Sequence, residues 1–142
     1  EIKSENWNRL NTRLALSTCA WEQIEEKPFF GTGKGEQQND LVKKYQEKNF
    51  IFALESNFNS HNQYLDIMLS NGIVGFFLFV CFILYILYLA IKNKSWFLAG
   101  VVVIVAMSCL TENILSRNQG VVVFIVFLSM LLFSEKETIK KI

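Results

Sequence analysis

The sequence predicts an all-α chain, part of a polytopic membrane helical bundle that carries a helical loop domain on its outer face. Three observations predict it. Half of the 142 residues are hydrophobic, yet between Gly72 and Phe133 the charged side chains are only Lys92, Lys94, Glu112 and Arg117. A soluble domain spreads charge along every amphipathic element, so a net charge near zero here conceals segregation. Gly72 to Ile91 offers 20 uncharged, mostly apolar residues, which at ~1.5 Å each cover the ~30 Å of a bilayer core. Finally, the short lysine-bearing segments agree on one orientation. The Lys92/Lys94 turn and the tail with Lys136, Lys140 and Lys141 both belong on the cytoplasmic side.

Taken in order, Asn6 to Glu26 reads as an amphipathic helix with an apolar stripe of Leu10, Leu14, Trp21 and Ile24. Lys27-Pro28 ends it, because proline disfavours the α region at the residue before it. Gly31-Thr32-Gly33-Lys34-Gly35 is a turn. It lacks a preceding strand and a Gly-Lys-Ser/Thr ending, so it is not a phosphate loop. Gln37 to Phe52 is a polar helix or loop leading back to the membrane. Three spans are expected at about 72–91, 96–115 and 120–133, the last extending back through Asn118, with the second interrupted near its end by Glu112. That divides the chain into an outer region 1–69, a membrane region 70–134 and a cytoplasmic tail 135–142, and leaves the Glu112–Gln119 turn outside. Membrane lipids are therefore an expected partner. No basic tract with interleaved aromatics is present, so a nucleic-acid partner is not expected. Cys19, Cys81 and Cys109 form neither a disulfide framework nor a metal site. The start at Glu1, without an initiator Met or a signal peptide, suggests the C-terminal part of a larger protein.

The candidate chemistry lies in Asn57 to Gly75, which holds the single histidine, His61. Ser60 followed by Gln63 has the spacing of a capping box, so a helix is expected to start there. His61, Tyr64, Leu65 and Met68 would share one face of it. In that first turn the helix dipole disfavours the imidazolium, leaving a ring that can accept a proton just above the membrane. The competing reading is an interfacial polar residue without chemistry. Arg9 and Arg13 lie one turn apart, and two guanidinium forks on one face suit a diphosphate, or form a solvated pair. Glu112 follows an apolar run directly, where an ionisable group needs a partner. Arg117 is the candidate, either in a structural clamp or in a substrate-facing pair.

Laid out in this order, the chain resembles the O-antigen ligase and O-antigen polymerase (Wzy-type) family. The parts are Arg13, then Pro28-Phe29-Phe30-Gly31-Thr32-Gly33, then His61-Asn62-Gln63-Tyr64-Leu65. Asn71-Gly72-Ile73-Val74-Gly75 then leads into a span, and Glu112 lies in the later outer turn. One departure is Ser17, where the family usually has Trp four residues after its arginine; Trp21, one turn on, is a candidate for the same space. The resemblance implies a bacterial inner-membrane glycosyltransferase of polysaccharide or lipopolysaccharide biosynthesis with its active site on a periplasmic loop. Its donor would be a glycan on undecaprenyl diphosphate, and its acceptor lipid A–core, another repeat unit or a protein side chain. His61 would match the catalytic histidine and Arg13 the arginine that holds the diphosphate, with Arg9 beside it. Family members use a further arginine from an earlier span, so these 142 residues alone are expected to be inactive. No cofactor is expected, and no metal, since one histidine without an Asp-x-Asp pair does not supply a Mg²⁺-dependent ligand set. A transporter or sensor is the rival class. It calls for mid-span charges and Gly- or Pro-broken helices.

Overall fold

The computed structural model describes residues 8–122, 124–126 and 128–129, and among them every regular element is helical. The expected segments 1–7 and 130–142, which include the tail and the end of the third span, lie outside the described residues. The elements are α1 (Arg9–Glu26), α2 (Gln37–Glu47), α3 (Ile51–Ser56), α4 (Gln63–Lys92), α5 (Trp96–Ser108) and a 3-10 turn, Ile114–Ser116. Helical backbone resumes at residue 118.

Asn8 caps α1 by accepting the Asn11 N–H on its side-chain oxygen, 2.8 Å. The helix ends before Pro28, as the proline requires. Of the expected stripe only Ile24 is buried. Leu10, Leu14 and Trp21 are exposed, while Leu16, Cys19, Ala20, Gln23 and Ile24 are buried. The small side chains at positions 19 and 20 let neighbouring helices approach, flanked on the packed face by Leu16, Gln23 and Ile24. Gln37 to Phe52, expected as one segment, is two helices broken at Asn49. That residue and Asn57 at the end of α3 both take the left-handed conformation, φ 54° and 47°, which asparagine tolerates better than most non-glycine residues. Leu41, Tyr45, Phe50 and Ala53 complete a core with α1 and Leu69 of α4.

The apolar helix α4 is not straight. Gly72 has φ 65° and ψ −166°, so the helix breaks there into an upper segment, 63–71, and a long lower one. Breaking a helix frees carbonyls on one side and N–H groups on the other. The loop after α1 satisfies both. Thr32 and Gly33 donate their N–H groups to the Leu69 and Ser70 carbonyls, both at 2.9 Å, while Ile73 donates to Pro28 at 2.8 Å and Val74 to Phe29 at 3.4 Å. A Cβ on Gly72 would collide with the Phe29 carbonyl, and one on Gly31 would lie 2.5 Å from the Leu69 carbonyl. The glycine turn, rejected as a phosphate loop, is thus a clasp on the kink.

Below the kink, α4 and α5 pack on each other through Ile83, Ile86, Ala90, Leu98, Ala99 and Val102. Gln63–Lys92 is the one helix among the described residues that is long and apolar enough to cross a membrane. The helix expected over 96–115 is shorter than its apolar run. It has 13 residues and stops at Ser108, about 20 Å of rise. The chain is captured there by the head of α4. Gln63 N–H bonds the Cys109 carbonyl at 2.8 Å, and Leu115 N–H bonds the Gln63 side-chain oxygen at 2.8 Å.

Candidate active site

The connection from α3 to α4 builds the site. Asn59 folds its side-chain oxygen onto the His61 N–H at 3.0 Å, an Asx turn, and Ser60 donates its hydroxyl to the Asn62 carbonyl at 3.2 Å. Between them His61 is forced to φ 46°, a conformation that costs a non-glycine residue on the order of 1–3 kcal/mol and clusters at functional sites. The expected capping box does not form. Asn62 is the cap, its side-chain oxygen accepting Tyr64 and Leu65 N–H at 2.9 and 3.2 Å. Ser60 is instead buried against the Asn113 amide, and Gln63 is spent on the backbone of Leu115. His61 therefore stands outside the helix, and the dipole argument made for it falls with the capping box.

The turn aims the imidazole at elements far away in sequence. Its ring packs edge-on against Phe58, centroids 5.4 Å apart. Its Nδ1 lies 3.5 Å from Glu112 Oε2, and Glu112 Oε1 in turn accepts Arg13 Nη2 at 3.2 Å. His61, Glu112, Arg13 and Arg9 line one cavity of about 390 Å³, walled by Thr12, Phe52 and Phe58 among others. Arg9 and Arg13 from α1, His61 from the α3–α4 turn and Glu112 from beyond α5 thus meet where only pairwise proximity was expected. Arg117 is not the partner of Glu112. Among the described residues the carboxylate pairs with Arg13 and His61, because the 3-10 turn intervenes between positions 112 and 117. Arg117 lines a neighbouring cavity of about 290 Å³ with Asn113, Gln119 and the other side of Glu112. Trp21 does not line the Arg13 cavity.

A second cluster went unread in the sequence. Asp66 is 4% exposed and accepts Lys34 Nζ and Gln37 Nε2 at 2.5 Å, Ser116 Oγ at 2.8 Å and Asn113 Nδ2 at 3.2 Å. It ties the clasp, α2, α4 and the turn after α5 into one unit and so fixes Glu112 relative to His61. The available signal was a polar stripe, Gln63, Asp66 and Ser70, at helical spacing on an otherwise apolar helix. Among the described residues no three His, Cys, Asp or Glu side chains converge as metal ligands.

Fold and cleft define a class first: an all-helical protein that sets an imidazole, a carboxylate and two guanidiniums at the head of a membrane-length apolar helix. The chain belongs to the O-antigen ligase family, whose model, Wzy_C, matches residues 2–80. The resemblance seen in the motifs is thereby borne out, and the chain takes its place in a family of polysaccharide assembly. The matched stretch includes Arg9, Arg13, the clasp, His61 and the Gly72 kink, and it ends before Glu112 and Arg117. No curated protein and no solved structure matches the chain.

Proposed function

We propose that the chain carries the catalytic face of a metal-independent membrane glycosyltransferase of the O-antigen ligase type, moving glycan from an undecaprenyl-diphosphate carrier to an acceptor hydroxyl. The observation that carries this reading is the single cavity shared by His61, Arg13 and Arg9. In the reaction, His61 takes the proton of the acceptor hydroxyl as its oxygen bonds to the anomeric carbon of the donor sugar. The bond from that carbon to the diphosphate breaks, and its electron pair leaves on the diphosphate. Arg13, with Arg9 one turn away, stabilises the charge growing on that leaving group.

The cavity lies beside the head of α4, so a helix crossing the inner membrane with Lys92 and Lys94 inside presents it to the periplasm. Isoprenoid-borne diphosphates are then held at the depth where the arginines lie. The kink at Gly72 does not favour a transporter. It sits at the outer end of the helix, is closed by the clasp, and leaves no charged residue in mid-span.

Glycan transfer by the whole protein in membranes, wild type against His61→Ala and Arg13→Ala, tests the reading. Loss of the base is expected to cost on the order of 10²–10⁴-fold with normal insertion. The acceptor that gains sugar then separates a ligase acting on lipid A–core from a polymerase acting on a repeat unit. Wild-type transfer by both variants would overturn the proposal.

A further inference from the structure

Glu112 lies outside the stretch that the family model matches, yet its carboxylate is the hub of the cavity. One oxygen faces Arg13 and the other faces His61. The two contacts differ in kind. His61 and Glu112 are anchored to the same buried cluster, since Ser60 next to His61 accepts from Asn113 next to Glu112 at 3.3 Å. Arg13 arrives from α1, a separate element, and its contact with Glu112 is half exposed on both sides. The carboxylate therefore keeps its place beside the imidazole whatever the guanidinium does.

We propose that Glu112 is a positioning residue that trades partners during the reaction. It shares its charge between Arg13 and His61 in this arrangement, and turns wholly to His61 when the donor's diphosphate takes the guanidinium. The inference rests on the transferase reading above and deepens it. A diphosphate carries more charge than a carboxylate and matches the Arg fork in geometry, so it competes Glu112 off Arg13. Two anions on one side of the cavity repel, which moves the carboxylate the short way towards Nδ1. A carboxylate on Nδ1 selects the tautomer with the proton there and leaves the Nε2 lone pair facing the substrate, the arrangement that lets an imidazole act as a base. Besides Glu112, the charged groups facing His61 are Arg9 and Arg13 of α1. α3 and the turn after it present Phe52 and Phe58. No other described anion lines the cavity to do this work. During transfer the acceptor proton goes to Nε2 while Nδ1–H stays bonded to Glu112, so the carboxylate itself is never protonated.

The test uses the whole protein in nanodiscs, as wild type, Glu112→Ala, Glu112→Gln and His61→Ala. The readouts are kcat and KM for the lipid-linked donor, thermal stability, and the ring ¹⁵N resonances of His61 in the alkaline limit, identified by their loss in His61→Ala. Inorganic pyrophosphate serves as the diphosphate probe. Glu112→Ala is expected to lower kcat by up to about 10⁴-fold, by analogy with loss of a carboxylate that orients a catalytic imidazole. It should also lower the donor KM, because Arg13 loses a competitor. Its His61 signals should move from the Nδ1–H towards the Nε2–H tautomer. Glu112→Gln, whose amide can donate to Nδ1 as well as accept from it, should also shift His61 towards the Nε2–H tautomer and lose kcat, with the same fall in KM. Pyrophosphate should sharpen the Nδ1–H signature in wild type and leave it unchanged in Glu112→Ala. If His61→Ala is inactive while Glu112→Ala keeps wild-type kcat, KM and tautomer, the role of Glu112 is overturned and the transferase reading survives. A rise in KM with lost thermal stability and an unmoved tautomer makes Glu112 merely structural, which also overturns it. Wild-type transfer by His61→Ala sinks the reading on which the inference rests.

Discussion

Asp66 bonds to the turn that follows α5 and Glu112 adjoins that turn, and the same functional group is used in opposite ways. Asp66 is 4% exposed and takes four donors at 2.5 to 3.2 Å. Glu112 is 49% exposed at its side chain and has two partners, at 3.2 and 3.5 Å. A buried carboxylate is tolerable only when its lone pairs are occupied, and that same saturation leaves it nothing to offer a substrate. An exposed ion pair contributes only ~0–1 kcal/mol, so breaking one in a catalytic cycle is cheap. Rigidity and exchangeability are thus built side by side, joined through Asn113, which bonds to Asp66 and adjoins Glu112.

The largest effect is expected where the rigid half is locked. Gly72→Ala places a Cβ against the Phe29 carbonyl and forces a non-glycine residue into φ 65°, ψ −166°, a region open essentially to glycine alone. The clasp must open, at a cost of about 3 kcal/mol or more, and limited proteolysis should cut the loop near Phe29 and Phe30. Asp66→Ala follows. It leaves the exposed Lys34 to solvent but strands the two buried amides of Gln37 and Asn113, at a cost of about 1–3 kcal/mol each. Thermal unfolding of the whole protein in detergent should show that loss, whereas Glu112→Gln should shift stability by less than about 1 kcal/mol. Equal losses at Asp66 and Glu112 would erase the distinction between them.

Why the sequence showed one of these carboxylates and not the other follows from the physics of each. Local signals were legible: the break at Pro28, the long apolar helix from Gly72 and the pairing of Arg9 with Arg13 on one face all depend on neighbours within a few residues. Glu112 stood out because it ends an apolar run. Asp66 did not, because its partners come from positions 34, 37, 113 and 116, and no local pattern announces a convergence of that range. The same limit explains the wrong partner for Glu112. Arg117 is near in sequence, but the fold brings Arg13 across 99 positions. The capping box failed for a related reason, since tertiary hydrogen bonds outbid Ser60 and Gln63 and left the cap to Asn62. For α1 three of the four stripe residues are exposed, because its packed face is set by contacts with α2 and α4 that no local pattern records.

Within the exchangeable half the effects should be kinetic and graded. Arg13→Ala removes the guanidinium that Glu112 holds, so it should raise the donor KM and lower kcat together, as expected for a group whose contact strengthens in the transition state. Arg9→Ala acts at the rim of the same cavity and should raise KM severalfold with less effect on kcat. Steady-state kinetics on a lipid-linked donor reads both. A larger kcat defect for Arg9 than for Arg13 would move the leaving group's seat towards the start of α1 and away from the reach of Glu112.

The smallest effect provides a reporter that is independent of catalysis. Cys19 is fully buried in the core beneath the cavity, and burial pushes its thiol from 9.0 up to about 11. The sign follows from proton counting. As pH rises through about 9 the unfolded chain releases this proton first, so between about 9 and 11 the native state binds more protons, and stability falls across that window. Below it the thiol contributes nothing to the pH dependence. At neutral pH a buried, protonated thiol is a poor nucleophile, so maleimide should label Cys19 only when the core opens. In a background without other cysteines, Asp66→Ala should speed that labelling, because it loosens the unit that packs on α1 and α2. Glu112→Gln should leave the labelling rate at the wild-type value even as transfer slows. Faster labelling in Glu112→Gln would mean that the exchangeable carboxylate also holds the core, and the division between the two carboxylates would fail.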